Sequence, residues 1–216
     1  MPEPAGALLH PAYDFRMIRC EQVPGHPDFR ALADIEGIVV DLRYATVHNF
    51  AQRVLYRDID GAWLRREAAE GLQLSAAWLA AHRPGWRLVV LDALRPQRVQ
   101  ERIWADVVDT PMAMYFADPR IGSIHSYGMA VDVTLVDGDG VELDMGSGFD
   151  EMNRRSHPAL HAQLLAEGVL TPAQVALREL LAAAMQAGGF AGIANEWWHF
   201  DHGDRERVRR ELPRVL

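Results

Sequence analysis

Residues 123–132 read Ser-Ile-His-Ser-Tyr-Gly-Met-Ala-Val-Asp, and the prediction of the fold starts from this stretch. Gly128 favours a turn, because glycine adopts positive φ angles without steric cost. After the turn, apolar residues alternate along the chain, which predicts a strand over residues 130–136. The stretch therefore predicts a turn that carries His125, followed by a strand that carries Asp132.

His125 and Asp132 are seven residues apart. This odd separation would place them on opposite faces of one regular strand, so they converge only if His125 lies in the turn before it. A second stretch, residues 196–199 with the sequence Glu-Trp-Trp-His, poses the same problem. If Glu196 and His199 serve one centre, the backbone must bulge or bend between them.

The two stretches together contain the ligand set of an open catalytic zinc site. Such a site takes three protein ligands, keeps one position for water and has a base beside that water. His125, Asp132 and His199 supply two imidazoles and a carboxylate, and Glu196 is a spare carboxylate. Either stretch alone is weak evidence, because a lone histidine near a strand is more often a core or surface residue. In combination they predict one zinc ion per chain.

The rest of the chain mixes strands and helices. Besides residues 130–136, β-branched and apolar content predicts strands at residues 38–42, 86–91 and 197–200. Helical spacing and end signals predict helices at residues 62–82, from about Pro96 onward, and at residues 171–187. No regular alternation of strand and helix is present, so the predicted fold class is α+β.

Composition excludes several classes of function. The 216 residues fit one domain, and their formal charge of −8 argues against a nucleic-acid partner. A single cysteine, Cys20, excludes an intrachain disulfide and a cysteine-rich zinc site. No segment has the length of apolar sequence that a membrane span needs, and the N-terminus lacks a secretory signal pattern, so we expect a cytoplasmic protein.

Prolines are concentrated near the N-terminus, at positions 2, 4, 11, 24 and 27. They predict a wrapping arm over residues 1–35 rather than a helix. The remaining residues, 36–216, are predicted to form the catalytic domain.

The two stretches belong to a longer pattern. Ser-x-His-x-x-Gly-x-Ala-x-Asp followed by Glu-Trp-Trp-His resembles the zinc D-alanyl-D-alanine dipeptidases. Further segments agree with that family in order, over about residues 36–200: Asp-Leu-Arg-Tyr-Ala-Thr at 41–46 with Asn-Phe at 49–50, Asp-Ala-Leu-Arg-Pro at 92–96, and Met-Gly-Ser-Gly-Phe-Asp at 145–150 with Ser-His at 156–157.

The resemblance implies a fold and an activity. The implied fold is a compact α+β domain of the Hedgehog and D,D-peptidase type, whose central antiparallel sheet carries the zinc and is flanked by helices. The implied activity is hydrolysis of a small dipeptide, D-alanyl-D-alanine, to two D-alanines. The role in the cell, glycopeptide antibiotic resistance or recovery of alanine from wall turnover, is left open.

The resemblance also assigns roles. His125, Asp132 and His199 match the zinc ligands of the family. Glu196 matches its general base, and Arg95 matches the arginine that faces the transition state.

Two more positions match residues that hold the charged ends of the dipeptide, namely Ser123 and Asp150. Without the resemblance, Arg95 would be interpreted as part of a surface ion pair, Asp150 as a cap and Ser123 as a turn residue.

Two alternative functions stay open at the level of sequence. One is a peptidoglycan D,D-carboxypeptidase or endopeptidase on the same scaffold. The other is a non-catalytic zinc-binding domain, which would have no need of Glu196 or Arg95.

Overall fold

The computed structural model describes residues 17–216. In chain order, the strands β1 to β9 of this part are Met17–Ile18, Phe29–Ala31, Ile38–Val40, Trp63–Arg65, Arg87–Asp92, Ala130–Val136, Phe190–Gly192, His199–His202 and Arg214–Val215. The helices α1 to α5 are Arg66–His82, Gln97–Val107, His161–Ala166, Pro172–Ala187 and Arg205–Glu211. None of these helices is long and apolar enough to cross a bilayer.

Five strands form the main sheet in the order β3-β5-β6-β8-β7. The pairs β5–β6, β6–β8 and β7–β8 are antiparallel, whereas β3 and β5 run parallel. The sheet is therefore mixed, and the expected antiparallel arrangement holds for β5, β6, β8 and β7 but not for β3. Two smaller sheets join β2 to β4 and β1 to β9.

The two faces of β5 show how the sheet is covered. Leu88 and Val90 point into the large core that also contains buried residues of α1 and α4. Val89 and Leu91 point to the opposite face, where they cluster with Val136 of the adjacent strand and Phe149 packs against them. Because both faces are buried, β5 carries an unbroken apolar run rather than the alternation of a half-exposed strand.

Helix α1 packs closely against the C-terminal end of α4, where glycines from the two segments meet. A Cβ atom on Gly71 would lie 2.4 Å from the carbonyl oxygen of Gly188, so neither position has room for a side chain. This close approach lets the two helices cover the sheet together, with Leu72 and Leu181 fully buried beneath them.

Several predicted elements are confirmed. Strand β6 spans the predicted residues 130–136. Helix α4 begins after Thr171, whose hydroxyl accepts a hydrogen bond from the Gln174 amide, while the Gln174 side chain accepts one from the Thr171 amide. This reciprocal pair is the predicted capping box.

Two boundaries were predicted wrongly. Helix α1 begins at Arg66 rather than at residue 62, because β4 pairs with β2 immediately before it. The last predicted strand, residues 197–200, is shifted to His199–His202, because residues 193–198 form an irregular segment. Pairing with β6 and β7, rather than local propensity, sets the ends of this last strand.

The predicted N-terminal arm lies partly outside the described residues, since residues 1–16 are not described. In the part that is described, β1 pairs in parallel with β9. Ile18, Val23 and Phe29 are buried in one cluster with Val215. This part of the chain is therefore packed onto the rest of the fold.

Candidate active site

The centre of the main sheet positions two of the predicted ligands. Asp132 on β6 lies directly opposite His199 on β8 and opposite Asp92 on β5. Directly opposed residues of antiparallel strands project from the same face, with Cβ atoms about 4.5–5.5 Å apart. The strand register alone therefore brings Asp132 and His199 together.

His125 reaches the same point from a turn. It lies in a short 3-10 helix, Ile124–Tyr127, which ends at Gly128 with a φ of 69°. This left-handed conformation reverses the chain into β6, as the spacing of His125 and Asp132 predicts. A Cβ atom at Gly128 would lie 3.0 Å from the Phe29 ring and 3.2 Å from the Arg65 amide nitrogen, so the turn is also tightly enclosed.

The three side chains converge on one point. His199 Nδ1 lies 3.0 Å from Asp132 Oδ1 and 3.1 Å from His125 Nε2. His125 Nε2 lies 3.3 Å from the same Asp132 oxygen. Among the described residues, these three form the group of His, Cys, Asp or Glu side chains that is arranged to hold a metal ion.

In both histidines, the ring nitrogen that faces away from the cluster (the outer nitrogen) has a hydrogen-bond acceptor. His125 Nδ1 donates to the carbonyl oxygen of Ala93 at 2.8 Å. His199 Nε2 lies 2.9 Å from Asp201 Oδ1. With a proton on each outer nitrogen, the lone pairs of His125 Nε2 and His199 Nδ1 face the cluster, which is the tautomer that metal ligation requires.

Electrostatic interactions within the cluster are strong because it is buried. Burial alone would raise the pKa of Asp132, but His125 and His199 hold it below its usual range. Burial alone would lower the pKa of His199, but Asp201 and Asp132 raise it well above its usual value. The carboxylates therefore make this a favourable place for positive charge.

Glu196 lies in the irregular segment before β8, where the predicted bend between Glu196 and His199 occurs. Its side chain is buried, with 8 % of the residue exposed. Burial raises its pKa to about 7, and the charge of Asp132 adds to this effect, while His199 and Arg95 oppose it. A carboxyl group with a pKa near neutrality is suited to exchange protons during catalysis.

Arg95 is held rigidly beside the cluster. Its Nε and Nη2 atoms donate to Asp92 Oδ2 at 2.9 and 2.7 Å, while Tyr56 donates to the other oxygen of that carboxylate. The Arg95 guanidinium carbon also lies 4.8 Å from the centre of the Tyr44 ring. Only 6 % of Arg95 is exposed, so the alternative interpretation as a surface ion pair is wrong.

Asp150 and Ser123 are both buried at the same cavity. Asp150 adopts a φ of 59° and accepts a hydrogen bond from the Phe50 amide at 3.2 Å. Burial raises the pKa of Asp150 well above its usual value, and the nearby Asp132 raises it further. Ser123 precedes the 3-10 helix, and its side chain makes no cap hydrogen bond there.

The metal-binding cluster and the side chains beside it line one cavity of about 230 Å³. Its lining includes the seven predicted site residues: Arg95, Ser123, His125, Asp132, Asp150, Glu196 and His199. This volume is small, since pockets for drug-sized ligands span about 300–1,000 Å³.

Sequence reasoning missed further residues of the cavity wall, among them Tyr44, Tyr115, Asp201, Arg205 and Arg209. Tyr44 lies in a segment that matches the family, but no role was assigned to it. Asp201 had a signal, because it follows His199 by two residues on one strand and so projects from the same face.

A buried His-Asp-His cluster at a small cavity, with a carboxyl group and an arginine beside it, is an arrangement typical of metallohydrolases. Residues 28–215 match the sequence profile of the peptidase family M15, described as D-Ala-D-Ala dipeptidase. The chain belongs to this family, and the prediction that it is an enzyme of the dipeptidase class is confirmed.

Individual relatives agree with this assignment. The chain is 40 % identical to the D-alanyl-D-alanine dipeptidase of Escherichia coli strain K12 over 162 residues, which cover 75 % of this chain and 77 % of the relative. It is 33 % identical to the enzyme of that name from Enterococcus faecium over 187 residues, covering 77 % and 86 % of the two chains. A D-alanyl-D-alanine dipeptidase of Synechocystis is 30 % identical over 172 residues, covering 66 % and 70 %.

Proposed function

We propose that this protein hydrolyses D-alanyl-D-alanine to two D-alanines, with a zinc ion held by His125, Asp132 and His199. The observation that carries the proposal is the convergence of these three donor atoms, 3.0 to 3.3 Å apart, in the wall of the cavity that Glu196 lines. The names of the relatives support the choice of substrate.

The donor set fits zinc. Ligands at about 2.0–2.1 Å from a tetrahedral zinc ion lie about 3.3 Å from one another, close to the separations found between the three donor atoms. Nitrogen and carboxylate oxygen are ligands that zinc accepts, and three protein ligands leave the fourth position open. When bound, zinc would polarise the scissile carbonyl and acidify water.

Glu196 is the general base in this proposal. Its buried carboxylate would accept a proton from the attacking water and pass it to the amine that leaves. Burial raises the pKa of this carboxyl group and so favours proton uptake, whereas the positive charge of a bound zinc would lower it and favour the base form.

Arg95 stabilises the negative charge that develops on the scissile carbonyl oxygen. The paired hydrogen bonds to Asp92 fix its guanidinium before substrate arrives, so little reorganisation is needed during the reaction. Its Nη2 atom lies 3.5 Å from Asp132 Oδ2, which places the cation next to the metal ligands.

The charged ends of the dipeptide are assigned to Asp150 and Ser123. An ammonium group next to Asp150 would restore its carboxylate form, since a nearby cation lowers a pKa that burial has raised. The Ser123 hydroxyl can donate a hydrogen bond to the terminal carboxylate. A substrate with a capped amine would leave Asp150 buried without a partner, which is unfavourable.

The direct test measures D-alanine release from D-alanyl-D-alanine before and after removal of metal with a chelator. We expect turnover to disappear with the metal and to return when zinc is restored. Glu196→Gln should retain zinc, and its turnover rate should fall by about 10²–10⁴-fold. Activity that survives thorough metal removal would refute the metal-dependent mechanism.

A substrate panel separates this function from the alternatives. N-acetylated dipeptide and L-alanyl-L-alanine should be poor substrates. Turnover of longer muropeptides at the rate of the dipeptide would instead favour a D,D-carboxypeptidase or endopeptidase. Zinc binding without turnover of any of these substrates would favour a binding domain.

Three further expectations, on fold type, domain boundary and cellular location, belong to the same proposal. We expect the fold to be of the Hedgehog and D,D-peptidase type, the catalytic domain to span residues 36–216, and the protein to be cytoplasmic. Truncation to residues 36–216 tests this boundary: retained zinc and activity would support it, whereas loss of folding would show that β1 and β2, which pair with β9 and β4, belong to the domain.

A further inference from the structure

His199 is contacted at both ring nitrogens. Its Nδ1 atom faces Asp132 and His125, as the metal-binding cluster requires, and its Nε2 atom lies 2.9 Å from Asp201 Oδ1. Nδ1 can offer a lone pair to a metal only if the ring proton is on Nε2. A carboxylate that accepts this proton fixes both the tautomer and the orientation of the ring.

The strand places Asp201 beside His199. Both residues lie on β8 two positions apart, so their side chains project from the same face of the sheet. The residues opposite Asp201 on the neighbouring strands are Ala130 and Ala191, whose small side chains leave room for a carboxylate against the imidazole. Only 3 % of Asp201 is exposed.

The second oxygen of Asp201 is also held. Arg205, the first residue of α5, pairs with Asp201 Oδ2 through both its Nε and Nη2 atoms. A buried carboxylate without a partner would be strongly unfavourable, and the arginine compensates for its charge. Asp201 therefore has one oxygen fixed by Arg205 and the other directed at His199.

The two histidine ligands differ in how they are supported. His125 donates its outer N–H to the backbone carbonyl of Ala93, which no substitution removes. The outer nitrogen of His199 faces a side chain. The hydrogen-bond acceptor of His199 can therefore be removed by mutation, whereas that of His125 cannot.

We propose that Asp201 is a positioning residue of the metal centre, which accepts the Nε2 proton of His199 so that Nδ1 faces the metal, and that Arg205 holds Asp201 in place. This inference rests on the proposed function, because it presupposes a metal on His125, Asp132 and His199. It adds to that function a side chain that determines metal affinity without touching the metal.

The test compares zinc affinity in full-length variants by competition with a chromophoric chelator. Asp201→Ala removes the acceptor, and we expect zinc to bind about 10–100-fold more weakly. The matched control is Asp204→Ala. Asp204 caps α5 by accepting the Arg207 amide proton at 2.7 Å, so this variant weakens the same helix but leaves the carboxylate behind His199 intact. Its zinc affinity should stay within twofold of the wild type.

Cobalt provides a readout that a merely structural role of Asp201 would not change. The visible absorption of bound Co²⁺ reports ligand geometry, and we expect it to differ from the wild type in Asp201→Ala but not in Asp204→Ala. Zinc affinity within twofold of the wild type in Asp201→Ala, with an unaltered cobalt spectrum, would overturn the inference. Failure of the wild type itself to bind zinc would refute the proposed function instead.

A measurement on the unmodified protein keeps the inference testable if the Asp201 variant does not fold. In the zinc-loaded protein with ¹⁵N-labelled histidine, NMR should find the His199 proton on Nε2 and the metal on Nδ1. A metal on Nε2 would contradict the role of Asp201.

Discussion

At the scale of single residues, the surroundings of two buried ionisable groups near the cluster have opposite effects: one group keeps its charge, and the other is brought close to neutral pH in its titration. Arg95 has strong partners in Asp92 and in the Tyr44 ring, so its charge is retained and its position fixed. Glu196 is buried among groups whose effects on its pKa largely oppose one another, so burial dominates and raises that pKa to about 7. The first arrangement suits a fixed cation, and the second suits a group that exchanges protons.

The fixed position of Arg95 leads to a prediction for Arg95→Lys. Lysine keeps the charge but cannot direct two separate N–H groups at Asp92 Oδ2, so the cation would no longer be oriented. We expect kcat to fall by about 10²–10³ while zinc content is unchanged. Arg98→Lys is the control, because Arg98 pairs at the surface with Glu21 and should tolerate the change. A kcat for Arg95→Lys within threefold of the wild type would remove Arg95 from the mechanism.

The raised pKa of Glu196 predicts a pH-dependent stability of the metal-free protein. The folded carboxyl group has a pKa of about 7, against 4.5 for its ordinary value, so the folded state binds the proton more tightly than the unfolded state does. The contribution of Glu196 to the free energy of unfolding therefore falls as pH rises through this window.

Glu196→Gln removes this effect and should be more stable than the metal-free wild type at about pH 8, by up to about 3 kcal/mol. The difference should vanish near pH 4, where both side chains are neutral. Chemical denaturation of both metal-free proteins at the two pH values measures it. A stability difference that is the same at both pH values would show that the charge of Glu196 does not cause it.

At the scale of elements, the order of segments and several helix and strand ends could be predicted, but pairing could not. Strand β6 and the start of α4 were placed correctly, because alternation and the Thr171 capping box are local signals. The start of β8 was not, because pairing with β6 determines where it begins.

The same distinction applies to the site. The ligand types and the turn at Gly128 follow from spacing along the chain. The approach of Asp92 and His199 to Asp132 depends on the register of three strands, and single-sequence patterns do not encode this register. The odd spacing between His125 and Asp132 was informative because it required a turn.

Gly128→Ala tests that turn. Alanine would be strained at a φ of 69°, and its Cβ would crowd the Phe29 ring and the Arg65 backbone. We expect a loss of about 2–3 kcal/mol in the free energy of unfolding, together with weaker zinc binding. Gly140→Ala is the matched control, since Gly140 has a φ of 82° but open space around it, and should lose only about 1 kcal/mol. Equal losses in the two variants would contradict the role of close packing at Gly128.

At the scale of the whole molecule, the candidate metal site lies across two adjacent strands of the main sheet. Asp132 and His199 lie on the adjacent central strands β6 and β8, and His125 lies in the turn that leads into β6. A metal bound to all three stabilises the folded chain, because the unfolded chain does not hold the ligands together.

Zinc should therefore raise the melting temperature. At a free zinc concentration of about 100 times its Kd, the gain is about 2.7 kcal/mol, or about 5–10 °C for a chain of this length. Differential scanning calorimetry of the chelator-treated protein with and without added zinc measures the shift. His199→Ala should lose the gain, whereas His82→Ala, at an exposed residue stacked on Trp78, should keep it. An unchanged melting temperature in the wild type would contradict the zinc site.

The separation of the ligands along the chain has a consequence for biosynthesis. His125 and His199 are 74 residues apart, so a ribosome completes β6 long before it reaches β8. Until β8 has been added, β6 lacks one neighbour and the nascent chain offers only two of the three donors. In the proposed zinc enzyme, the complete three-ligand site would therefore form only after translation of the third ligand. A fully coordinated metal would thus report that β6 and β8 are paired.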